Sequence, residues 1–98
     1  MIHVKKIIIY DYKTKENETH SLIAEINDIG DLVLSGYDCG QSVKEFFGDY
    51  DHEYWLTVKS ENIPKVLLHL IKESFKSDTE FRDWLEKKNI QFKFYSYT

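Results

Sequence analysis

The apolar positions of this chain change their period along its length. Over residues 2–12 they are β-branched or aromatic, with Ile2, Val4, Ile8 and Tyr10 on one parity and Ile7 and Ile9 on the other. That composition predicts a strand. Its two-sided apolar block predicts cover on both faces, as in a central strand. After a polar turn, residues 19–26 place Leu22, Ala24 and Ile26 on one face of a second strand. A tight turn around Gly30 leads to residues 32–37, where Leu32 and Leu34 alternate with Ser35 and Tyr37. Three strands joined by short turns predict an antiparallel meander.

The period then lengthens. Asp38 and Gln41 have capping-box spacing, and Val43, Phe46 and Phe47 fall at i, i+3 and i+4 of a short helix that Gly48 is placed to end. Residues 49–53 are a polar connection, and residues 54–58 are a fourth strand. Residues 60–76 carry a broad stripe (Ile63, Val66, Leu67, Leu70, Ile71, Phe75), with Pro64 tolerable only in the first helical turn. Ser77 and Glu80 repeat the capping-box spacing ahead of Phe81, Trp84 and Leu85, and Asn89 is placed as the C-terminal cap. Residues 90–97 alternate again, Ile90, Phe92 and Phe94 against Gln91, Lys93, Tyr95 and Tyr97. The expected order is β-β-β-α-β-α-α-β. It predicts a single two-layer α+β domain over residues 1–98, with a largely antiparallel sheet and the helices on one face.

Charge changes this picture in one place. The net charge of −4 is concentrated in residues 38–53, where Asp38, Glu45, Asp49, Asp51 and Glu53 face only Lys44, while the rest of the chain balances. A phosphate-binding surface needs a surplus of lysine and arginine, so direct nucleic-acid binding is disfavoured. An acidic stretch interleaved with Tyr50 and Tyr54 suits a basic protein partner instead. The single cysteine can form no internal disulfide, no apolar run reaches bilayer length, and the strand pattern that starts directly after Met1 leads us to expect no signal peptide. A cytoplasmic protein is expected.

Asp49, Asp51, His52 and Glu53 are rich in metal-ligand types, but the run lacks the length and central glycine of a calcium loop. Zinc would need further nitrogen or sulfur ligands, and His3, His20 and His69 are scattered singly. No metal or other cofactor is therefore expected. Cys39, at the first turn of the short helix with His52 nearest in sequence, is a candidate nucleophile. A lone cysteine is more often a small packed residue, so no catalytic residue is assigned.

The stretch Gly36-x-Asp38-x-Gly40 through Phe47-Gly48-Asp49-x-Asp51-x-Glu53-Tyr54, with Phe81-Arg82-x-Trp84-Leu85 near the end, resembles a family of small bacterial α+β proteins of uncharacterised function. The resemblance covers about the last two-thirds of the chain and implies no activity and no catalytic residues. In size, acidity and α+β make-up the chain also looks like the immunity proteins of bacterial toxin systems.

The sequence thus points to a protein-interaction module, an inhibitor or immunity-type protein, whose binding residues are Asp49, Tyr50, Asp51, Glu53 and Tyr54. The alternative is a ligand-binding protein or enzyme with a pocket near Gly36 and Gly40 and with Cys39 and His52 as reactive groups. A homodimer is compatible with either reading.

Overall fold

Antiparallel pairing of four strands dominates the first part of the chain. The computed structural model describes residues 5–97, which fall into two compact units, Met1–Ile63 and Pro64–Thr98. Ile2, His3 and Val4, placed by sequence in and beside the first strand, lie outside the described residues.

In the first unit, β1 (Lys6–Lys13), β2 (Thr19–Ile26), β3 (Leu32–Cys39) and β4 (Asp51–Val58) form one open sheet in the order β1-β2-β3-β4. The α+β class and the antiparallel meander are therefore as expected. Strand β1, however, is an edge strand and not a central one. Its pairing slips between Ile8 and Tyr10, so Ile8 opposes Ile23 while Tyr10 opposes Leu22. The extra residue, Ile9, is a β-bulge, which reverses the parity of everything beyond it. That is why the first strand shows apolar residues on both parities.

Register assigns the two faces. One carries Leu22, Gly36 and Tyr54, then Ala24, Leu34 and Leu56, then Ile26, Leu32 and Val58. The other carries Thr19, Cys39 and Asp51, then Ser21, Tyr37 and Glu53, then Ile23, Ser35 and Trp55. The first is an apolar face and the second is a mixed one.

Buried Asp31 closes the β2–β3 turn. Its N–H donates to Asn27 Oδ1 at 2.9 Å, and its own Oδ1 accepts from the Ser60 N–H at 2.8 Å. One carboxylate thereby ties the turn to the chain leaving β4.

Helix α1 (Gln41–Phe47) connects β3 to β4 and packs on both. Its N-cap is Gly40 and not Asp38, and the expected Asp38–Gln41 capping box does not form. Glu18, from the end of the β1–β2 turn, accepts from the Ser42 N–H at 2.9 Å, while Asp38 turns to His20. Gly40 has φ +145°, and a Cβ there would meet Glu18 Cγ at 2.6 Å, so the close approach requires glycine. Gly48 ends the helix in the left-handed conformation, as expected, its N–H donating to the Lys44 carbonyl. Of the three apolar residues assigned to the core, only Val43 is buried, and Phe46 is 82% exposed. A helix this short turns one residue fully inward.

The second unit is helical. A 3₁₀ turn at Ser60–Asn62 leads into α2 (Ile63–Ser74), which keeps Pro64 in its first turn. Helix α3 (Asp78–Lys87) follows, with Ser77 Oγ accepting from the Glu80 N–H at 3.2 Å. At its end Asn89 takes φ +58°, and the Ile90 and Asn89 N–H groups donate to the Leu85 and Glu86 carbonyls. That is a Schellman cap. Within this unit, Leu67, Leu70, Phe81, Trp84, Leu85 and Ile90 line an apolar groove of about 650 Å³.

The expected final strand is not among the elements formed by the described residues, where residues 90–97 pair with no strand. Ile90 is held in the α3 cap, and the Arg82 guanidinium lies 3.9 Å from the centroid of the Phe94 ring. The alternating pattern is real, but alternation makes a strand only where a ladder partner exists. No helix among the described residues is long and apolar enough to cross a membrane.

Candidate functional site

Strand alternation sorts the residues that the sequence nominated. Asp51 opposes Cys39 and Glu53 opposes Tyr37, so both carboxylates stand on the mixed face of β4, beside β3. Both are exposed. The Tyr37 hydroxyl donates to Asp51 Oδ1 at 3.0 Å, which fixes the phenol and the acid relative to each other. Hydrogen bonding with Cys39, then with Asp51, pushes the Tyr37 phenol well above its usual range. Tyr37 stays a neutral donor at every physiological pH.

Asp49 and Tyr50 precede β4 in the connection from α1. The Tyr50 ring is already engaged, with Lys44 Nζ 4.8 Å from its centroid. The lone base of the acidic stretch is thus held over an aromatic face. The structure groups Asp51, Glu53 and Tyr37 on one surface, with Asp49 and Tyr50 at the end where β4 begins.

Tyr54 belongs elsewhere. One residue on from Glu53, it points to the opposite face and lies over Gly36, where a Cβ would overlap its ring. A hydrogen bond to Tyr10 and partial burial push its phenol up to about 12. Tyr54 fills the apolar face and does not share the surface of Asp51 and Glu53.

The same alternation separates Cys39 from His52. Asp38 opposes His52 and Cys39 opposes Asp51, so thiol and imidazole stand on opposite faces of the sheet. His52 is stacked on Phe47, with centroids 3.8 Å apart and planes within 4°. The arrangement needed for an imidazole to activate this thiol is absent. Cys39 is a half-buried free thiol beside Tyr37.

Sequence reasoning missed the residue that completes the polar end of the apolar face. His20 Nδ1 donates to Asp38 Oδ1 at 2.7 Å, and Nε2 stands 3.6 Å from Glu18 Oε2. The hydrogen bond to Asp38 raises the imidazole pKa above its usual 6.5, while burial opposes the rise. Glu18 is held below the usual carboxylate range, first by its hydrogen bonds from Ser42. The signal was the even parity of His20 among Leu22, Ala24 and Ile26, which puts a titratable ring on the apolar face. Register then brings it opposite Asp38. Among the described residues, no group of three or more His, Cys, Asp or Glu is placed to share a metal ion.

A shallow open depression of about 220 Å³ lies on the mixed face, lined by Ser21, Ile23, Ser35, Tyr37, Glu53 and Trp55. Trp55 is 65% exposed beside it. An exposed tryptophan next to ordered carboxylates is a combination that surfaces use to anchor a partner.

No family model matches this chain, and no curated protein and no solved structure is significantly similar to it.

Proposed function

We propose that this chain is a small protein-interaction module, of the inhibitor or immunity type, that covers a basic site on another protein. Its binding surface is the mixed face of β3 and β4, with Asp51, Glu53 and Tyr37 at the centre and Asp49 and Tyr50 at the margin. One observation carries the reading. Two acids of the stretch that makes the chain negative, Asp51 and Glu53, stand exposed on the sheet, Asp51 fixed by the Tyr37 hydroxyl and Glu53 two residues from a largely exposed Trp55. Charges held on strands steer association without the entropic cost of ordering a loop, and aromatic side chains supply anchoring area. A cytoplasmic setting, in which Cys39 remains a thiol, belongs to the same reading.

Affinity capture from the source cell tests it, run in parallel with the unaltered chain and with Asp49→Lys/Asp51→Lys. A stoichiometric basic partner retained only by the unaltered chain supports the module. A partner retained equally by both rules out this surface.

A further inference from the structure

The depression beside Trp55 has a shape and a charge that select its occupant. The small residues Ser21 and Ser35 line it, Ser21 opposite Tyr37 on β3 and Ser35 opposite Trp55 on β4. Small side chains between larger ones leave a recess on an otherwise level sheet. One wall is apolar, formed by Ile23 and the indole of Trp55, and the other is Tyr37 with Glu53. Register places Asp11, Ser21, Tyr37 and Glu53 in one cross-strand row, so a carboxylate stands at each end of the row that crosses the recess. The adjoining row adds Asp51 and sets its lysine, Lys13, on the far edge strand. Glu53, the one charged residue lining this partly apolar recess, favours a cationic occupant that also carries an apolar stem.

We propose that this recess receives one arginine side chain of the protein partner. Its methylenes lie along Ile23, its guanidinium stacks on the Trp55 indole, and its N–H groups donate to the Glu53 carboxylate. Arginine fits better than lysine because a planar guanidinium can stack on the indole and pair with a carboxylate at the same time. The Ser21 and Ser35 hydroxyls lining the recess are available as further acceptors. This assignment rests on the interaction-module reading and names the chemical group that reading requires at its centre.

The test is an NMR titration of the full-length, isotopically labelled chain with blocked Gly-Arg-Gly and Gly-Lys-Gly peptides at physiological salt. The arginine peptide is expected to shift the Trp55 indole N–H and the Ser35, Tyr37 and Glu53 amides saturably, and to bind more tightly than the lysine peptide. Trp55→Ala and Glu53→Gln are each expected to weaken that binding by about tenfold, and Asp28→Asn, in the β2–β3 turn, to leave it unchanged. If Trp55→Ala loses its dispersed spectrum, Trp55→Phe replaces it and is still expected to bind more weakly. Equal response to both peptides, shifts spread over distant acids such as Glu16 and Asp28, or no response would overturn the arginine assignment. The two readings fail separately. A partner lost on Asp49→Lys/Asp51→Lys but indifferent to Trp55→Ala and Glu53→Gln keeps the module and removes the arginine recess.

Discussion

The ring of Tyr54 lies across the Cα of Gly36, on the adjacent strand, where any other residue would place its Cβ. This contact joins β3 to β4 on the apolar face and brings Tyr54 into hydrogen-bonding reach of Tyr10 on β1. Gly36→Ala is expected to displace the ring and destabilise the chain by about 1–3 kcal/mol, read by urea unfolding. In Gly36→Ala/Tyr54→Ala the two costs should fall short of additivity, because the clash is already relieved. Additive costs would show that the ring does not constrain position 36.

His20 and Asp38 make stability depend on pH in a stated direction. Because the folded imidazole titrates above its unfolded value of 6.5, its contribution is fully present below that value. The contribution is lost as pH rises through the folded pKa. The thermal unfolding midpoint should therefore fall from slightly acid to slightly alkaline pH, and His20→Gln should flatten that dependence. Glu18 acts oppositely: its depressed pKa gives a contribution present above 4.5 and lost as pH falls through the folded value. An unaltered pH profile in His20→Gln would remove the pair from this account.

Asp31 is expected to be the most costly acid to remove. Asp31→Ala leaves the Ser60 N–H without its acceptor and frees the β2–β3 turn from the chain leaving β4, at about 1–3 kcal/mol. Asp31→Asn, which keeps the Oδ1 acceptor, should cost less. Equal losses for the two variants would assign the effect to charge and not to the hydrogen bond.

The pairing of β3 and β4 also predicts the behaviour of the thiol. With His52 on the other face, His52→Ala should leave the rate of Cys39 alkylation by iodoacetamide unchanged across neutral pH. Tyr37→Phe, which removes the hydroxyl beside the sulfur, should change it. A rate that collapses in His52→Ala would restore the nucleophile reading.

The meander and the helix ends were legible in the sequence because they depend on local chemistry. The Leu32–Leu34 alternation, the Ser77 cap, Pro64 in a first turn and left-handed Gly48 and Asn89 each need only a few neighbouring residues. What the sequence hid depends on distant partners. The bulge at Ile9 is visible only against β2, and the cap on α1 comes from Glu18, far back in the chain. Residues 51–53 read as a polar connection, yet they join β4 because β3 continues to Cys39 and offers them a ladder. Residues 90–97 show the reverse case, a strand pattern with no partner strand among the described residues. The candidate binding residues were half legible: the spacing of Asp51 and Glu53 puts them on one side, but the same spacing sends Tyr54 to the other.

Association kinetics with a captured partner test the central claim most directly, comparing the unaltered chain with Asp51→Lys/Glu53→Lys at low and physiological salt. If the mixed face of β3 and β4 steers a basic protein, the association rate falls with salt, and charge reversal lowers it by at least about tenfold. A rate indifferent both to salt and to these two residues would contradict that claim.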